Sequence, residues 1–108
     1  MKISILIPVY NEENTVIEIL EKVNKQKNEN ISLEVIVIDD GSTDGSAELL
    51  SKKTELYNHF IKLEKNSGKG AAVKEGLKIA TGDYILFQDA DLEYDPSDYS
   101  KIFYVIKN

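Results

Sequence analysis

Ile3-Ser4-Ile5-Leu6-Ile7-Pro8-Val9-Tyr10-Asn11-Glu12-Glu13 decides the fold, because a short apolar run passes straight into a polar turn and then into helical spacing. Val16, Ile19, Leu20 and Val23 recur at i, i+3, i+4 and i+7, which gathers one apolar stripe on a helix. The pattern then repeats. Runs at Leu33–Ile38, Phe60–Leu63 and Tyr84–Phe87 are each followed by a helix-like stretch. The second helix is expected over Ser46–Tyr57, and the third carries Val73, Leu77 and Ala80 on its buried face. The fourth opens with Asp95-Pro96, a cap followed by a first-turn proline, and sets Tyr99, Ile102, Phe103 and Ile106 on one side. Strands alternating with helices predict a parallel sheet, since a parallel neighbour needs a crossover and crossovers are right-handed. The expected class is α/β: a three-layer parallel sheet of order 3-2-1-4 flanked by helices. Thr81-Gly82 is expected to end the third helix with a left-handed glycine.

Composition narrows the function. The 108 residues are 42% hydrophobic and 30% charged, as in one globular domain. Lys and Arg number 13 against 19 acidic residues, and every basic residue is Lys, so the net charge of −6 argues against nucleic acid as a partner. The absence of cysteine removes disulfides, thiolate metal sites and a Cys nucleophile, and fits a reducing cytoplasm. The longest apolar run, Ile5–Val9, is far shorter than a membrane span, and Met1-Lys2 leads directly into a strand, so no leader peptide is expected.

In open sheets of this class, ligands bind beyond the carboxyl ends of the strands. There the first strand runs into Tyr10-Asn11-Glu12, the second into Asp39-Asp40-Gly41-Ser42-Thr43-Asp44-Gly45 and the fourth into Asp89-Ala90-Asp91-Leu92-Glu93. Order 3-2-1-4 makes the first and last of these loops flank one crevice. Asp39, Asp40, Asp89, Asp91 and Glu93 would share that rim, and two like charges ~6 Å apart repel by roughly 2 to 3 kcal/mol at an effective dielectric near 20. A divalent cation reverses that sign, and hard oxygen ligands select Mg²⁺ or Mn²⁺ together with substrate phosphates. A nucleoside diphosphate derivative is therefore the expected partner. Asp44 reads as a helix cap, His59 as structural, and Lys69 as a solvated lysine in a glycine-rich turn, Asn66 to Ala72, that lacks the spacing of a phosphate-binding P-loop.

Taken together, Ile7–Glu13, Val37–Gly45, Asn66–Ala72 and Gln88–Pro96 resemble the start of a glycosyltransferase family 2 domain of GT-A fold, over nearly the whole chain. The last segment looks closest to the polyprenyl-phosphate hexose synthases of the dolichyl-phosphate mannose synthase type. The resemblance implies that Pro8, Tyr10 and Glu12 touch the nucleoside, that Ile38 and Asp40 complete the base and ribose contacts, and that Ala90 lies against ribose or diphosphate. It implies that Asp89 and Asp91 hold the metal with Glu93, which stands where such relatives often carry Gln. The implied chemistry is inverting transfer of a hexose from a UDP- or GDP-sugar to a polyprenyl phosphate, whose anionic oxygen needs no strong general base. Such an enzyme would work in the cytoplasm or at the cytoplasmic face of a membrane.

Family domains extend beyond the point where this chain ends, so residues 1–108 are expected to form the donor-binding part of a longer enzyme, weak in binding and nearly inactive in transfer by themselves. Any catalytic base and the acceptor site are expected beyond Asn108. A sheet without its remaining strands would leave an edge open to a homo-oligomer. Competing readings are a transferase to a saccharide acceptor and a nucleotide-binding module without turnover; a dinucleotide fold is disfavoured because no glycine fingerprint follows the first strand.

Overall fold

The computed structural model describes residues 1–90 and 106–107. Its elements are β1 (Lys2–Val9), α1 (Val16–Asn24), β2 (Ser32–Asp39), α2 (Ser46–Lys52), a 3-10 turn (Thr54–Leu56), β3 (His59–Lys62), α3 (Lys69–Ile79), β4 (Tyr84–Phe87) and β5 (Ile106–Lys107). The sheet order is β3-β2-β1-β4-β5. β1 lies parallel to both β2 and β4, β2 lies parallel to β3, and β5 runs antiparallel along the outer side of β4. The four parallel strands thus stand in the expected order, 3-2-1-4. Ile106, read from sequence as part of a fourth helix, is instead in strand β5, and the rest of that expected helix lies outside the described residues.

β1 and β2 read as almost unbroken apolar runs because helices cover both faces of the sheet. Alternate residues divide between two cores. Ile3, Ile5, Ile7, Val9, Val35 and Val37 meet Val16, Ile19, Leu20, Val23 and Leu50 of α1 and α2, while Leu6, Ile36, Ile38 and Ile85 meet Ala72 of α3. The α1 stripe is therefore the one its spacing predicts.

The other two helices depart from the sequence reading. The expected Ser46–Tyr57 helix ends at Lys52, because only Ser46 and Leu50 within it find buried positions; Tyr57 is extended and its hydroxyl donates to the Leu50 carbonyl at 2.9 Å. α3 buries Ala72 and Gly76, whereas Leu77 is 42% exposed. A Cβ at Gly76 would stand 2.9 Å from Ile38 Cδ1, so the helix turns its smallest residue to the sheet to come close. Gly82 likewise serves close approach rather than a left-handed turn. Its missing Cβ would meet the Ser4 amide at 2.6 Å, and positive φ among glycines occurs at Gly41 and Gly68.

At the amino ends of the strands, Glu34 gathers a buried polar knot that ties β1, β2 and the end of α3. Ser4 Oγ and the Thr81 amide donate to Oε1 at 2.7 and 2.8 Å, Thr81 Oγ1 donates to Oε2 at 2.8 Å, and Lys2 and His59 each lie 3.5 Å from Oε2. Burial alone would raise this carboxyl, but the hydrogen bonds and Lys2 outweigh it and hold the pKa at about 2. His59 is thus part of the scaffold, at the end of the sheet away from the strand-end loops.

Candidate functional site

The carboxyl ends of β1, β2 and β4 open onto one rim. The Asp40 amide still bonds the Val9 carbonyl at 2.7 Å, and the Gln88 amide bonds that of Leu6 at 3.0 Å, so the loops leave the sheet side by side. Asn11 turns the first loop with a φ of 53°, a left-handed conformation that Asn tolerates better than most residues. Its side-chain oxygen accepts the amides of Thr43 at 2.8 Å and Asp44 at 3.2 Å, while its own amide donates to Ser42 Oγ at 3.0 Å. Ser46 Oγ accepts the Glu12 amide at 2.9 Å, and Glu13 Oε2 accepts that of Gly45 at 3.0 Å. The first two loops are therefore one stitched unit, with Tyr10 projecting from it, 42% exposed.

The N-cap of α2 is Gly45 rather than Asp44, which braces the loop one residue earlier: Oδ1 accepts the Ser46 amide at 2.9 Å and Oδ2 that of Glu13 at 3.3 Å. Burial pushes its carboxyl up, but bonds from Ser46 and Glu13 prevail and lower it.

Asp40 is the anchor of the second wall. It is 3% exposed, and its two oxygens accept the amides of Ser67 at 2.8 Å and Gly68 at 3.0 Å, in the turn before α3. Gly41 makes this approach possible: its φ is +71°, and a Cβ there would fall 2.4 Å from the Asn66 amide nitrogen. The amides just before α3 thus bind the chain's own carboxylate. Pro8, Val9, Tyr10, Asp40, Asn66, Gly68 and Lys69 enclose a cleft of about 250 Å³. At its margin the Lys69 ammonium forms an ion pair with Asp89 Oδ1.

The remaining sequence-predicted residues that are described do not line this cleft. Glu12 is half-buried and accepts from Thr15 Oγ1 at 3.2 Å. Ile38 is wholly buried beneath α3, in the core rather than at a ligand-facing surface. Ala90 is 3% exposed, its carbonyl accepting from Thr15 Oγ1 at 2.5 Å. Asp91 and Glu93 lie outside the described residues. Asn66 and Gly68 were not singled out from sequence, although their turn was, and nothing in it marked Asp40 as its partner.

The crowding of carboxylates expected from sequence takes a different form. Asp39, alternating with Val37, faces the α1 side, wholly buried with neither carboxylate oxygen hydrogen-bonded. Asp40 is met by two amides and Asp89 by Lys69, so two of these three described carboxylates find partners within the chain and Asp39 finds none. Among the described residues no three His, Cys, Asp or Glu side chains stand close enough together to hold a metal. Asp89 nonetheless suits a hard divalent ion: its side chain is 23% exposed at the cleft margin and already draws a cation. Mg²⁺ uses one or two protein carboxylates and takes its other ligands from water and phosphate.

Comparison with known proteins agrees with this fold. The model of the glycosyl transferase family 2 matches residues 4–108. A poly(ribitol-phosphate) beta-glucosyltransferase of Bacillus spizizenii is 40% identical over 94 residues, 84% of this chain and 15% of that protein. An undecaprenyl-phosphate 4-deoxy-4-formamido-L-arabinose transferase of Proteus mirabilis is 37% identical over 105 residues, 94% of this chain and 32% of that protein. This chain therefore spans about a third or less of these curated relatives. Among solved structures, S. aureus TarS 1-349 in complex with UDP-GlcNAc superposes with a TM-score of 0.75 at 38% identity, covering 84% of this chain and 27% of that one. The mannosyltransferase PcManGT of Pyrobaculum calidifontis, in complex with GDP-Man and Mn²⁺, superposes at 0.73 with 29% identity, covering 82% of this chain and 27% of that one.

Proposed function

This chain belongs to glycosyl transferase family 2, and on that premise we propose that it forms the donor-binding part of a metal-dependent, inverting hexosyltransferase using a UDP- or GDP-sugar and a polyprenyl phosphate acceptor. The observation that carries the reading is the cleft between Tyr10, Asp40 and Lys69, with the Asp89 carboxylate at its margin. Tyr10 and Pro8 offer a flat apolar wall to a base, and Asp40, fixed by the Ser67 and Gly68 amides, keeps acceptor capacity for its N–H groups or for ribose hydroxyls. Glu12 and Ala90 complete the nucleoside and ribose side of the site.

Asp89, with Asp91 and Glu93, would hold Mg²⁺ or Mn²⁺, which when bound offsets the negative charge of the departing diphosphate. The chain's own residues hold the nucleotide, orient it and fix the Asp89 carboxylate at the cleft margin. A polyprenyl phosphate is already an anion and can attack the anomeric carbon without a strong base. The Proteus mirabilis relative, aligned over 94% of this chain, is named for a polyprenyl phosphate acceptor and favours that choice. A phosphate-polymer acceptor is the second reading, favoured by the Bacillus spizizenii relative at 40% identity. Among the described residues no helix is long and apolar enough to cross a membrane.

Calorimetric titration of the chain with UDP, GDP and their hexose conjugates, with and without Mn²⁺, tests the donor assignment. Binding of one nucleotide series that strengthens with Mn²⁺ and is lost in Asp89→Asn is expected. Absence of nucleotide binding in the presence of Mn²⁺ would overturn the reading.

A further inference from the structure

We propose that Lys69 is an exchangeable cation for Asp89: it pairs with the carboxylate, yields it when a divalent ion arrives, and turns to the donor diphosphate. The inference rests on the donor-site reading above and adds to it a coupling between metal and nucleotide.

Two rim carboxylates are neutralised in different ways. Asp40 is met by backbone amides of Ser67 and Gly68, which cannot leave without unmaking the turn. Asp89 is met by a flexible side chain that is 63% exposed, at the first residue of α3. An exposed ion pair of this kind is weak and is given up at small cost. An ammonium and a doubly charged ion repel each other, so they cannot both occupy the same carboxylate oxygen at short range. Lys69 also lines the cleft together with Tyr10 and Asp40, so when released it remains next to the space assigned to the nucleotide. A strongly hydrated point charge on a four-carbon stem suits a diphosphate whose position it does not have to fix.

The arrangement makes the metal bind poorly alone and better with the nucleotide, because the nucleotide gives the displaced ammonium a new anion. The two ligands are then coupled, and the coupling is reciprocal.

Lys69→Met is the test, with Mn²⁺ binding followed by the paramagnetic resonance signal of the free ion and UDP binding by calorimetry. Removing the competitor is expected to tighten Mn²⁺ alone by about two- to fivefold, the range an exposed ion pair spans. The same variant is expected to weaken UDP at saturating Mn²⁺, with Lys69→Arg retaining much of the wild-type behaviour. Changes of opposite sign support the exchange. It is overturned if both affinities are unchanged, if both fall together, if only UDP weakens as for a plain phosphate contact, or if Mn²⁺ tightens while UDP does not weaken. Asp89→Asn separates the layers. If that variant binds Mn²⁺ like wild type, the donor-site reading and the exchange both fall; if it loses Mn²⁺ while Lys69→Met changes nothing, only the exchange falls.

Discussion

Asp40→Asn tests whether the second wall of the cleft is held by charge. In the native chain Asp40 is 3% exposed and accepts two amides, from Ser67 at 2.8 Å and Gly68 at 3.0 Å. Asparagine keeps the shape but presents one amino group to an N–H, so one part-buried donor loses its carboxylate partner and the other exchanges a charge-assisted bond for a neutral one. The Ser67 and Gly68 amides lie in an exposed turn, where water or, for Gly68, Asn66 Oδ1 at 3.2 Å can take up a lost bond, so the loss is about 1 kcal/mol rather than the full penalty of a buried, unsatisfied amide. Each kcal/mol lowers Tm by about 4–8 °C in a domain near this size, so Asp40→Asn is expected to melt roughly 4–8 °C below wild type.

Asp40→Ala removes both acceptors and should fall further. Ser67→Ala leaves the bonded amide in place and should stay within about 0.5 kcal/mol. Thermal melts followed by circular dichroism, with urea unfolding at pH 7, give the comparison. An Asp40→Asn melt within about 2 °C of wild type would refute the argument, because the clamp would then contribute nothing to the turn before α3.

Glu34 predicts an acid-sensitive scaffold. Its folded pKa of about 2 lies below the unfolded value of 4.5, so its contribution is fully present above 4.5 and is lost as pH falls toward 2. Glu34→Gln should cost up to about 3 kcal/mol at pH 7, with the gap to wild type in urea unfolding narrowing steadily below pH 4.5; a gap independent of pH would exclude this origin. Asp39→Asn should behave differently. Neither Asp39 oxygen has a hydrogen-bond partner, so replacing the buried carboxyl by an amide of the same shape breaks no bond and is expected to leave stability within about 1 kcal/mol of wild type at every pH; a clear loss in the same measurement would show that the carboxyl is needed.

The parallel sheet was legible because β1 and β2 are buried on both faces and punctuated by turns, and the stripe of α1 because four apolar residues repeat at helical spacing. The face of α3 was not legible. Periodicity pointed to Val73, Leu77 and Ala80, but close packing on Ile38 and Leu6 selected Gly76, a residue that carries no apolar signal. The first and second strand-end loops, expected at one rim, do line the candidate cleft with Tyr10 and Asp40. What sequence spacing left hidden was charge pairing between loops: Asp40 with residues 67 and 68, and Asp89 with Lys69, are long-range contacts that no local pattern encodes.

That pairing changes what an acidic rim implies. Mutual repulsion argues for a bound cation only while the carboxylates lack other partners, and here backbone amides and a lysine meet two of them. The case for a divalent ion at Asp89 therefore rests on how its present partner is held. Amides in a tight turn fix Asp40 permanently, which suits a group that must stay in place while a base docks. An exposed lysine fixes Asp89 provisionally, which suits a group that must change partner when a ligand arrives. Carboxylates that follow neighbouring strands of one sheet can thus serve different ends, and the difference lies in whether the counter-charge belongs to the main chain or to a mobile side chain.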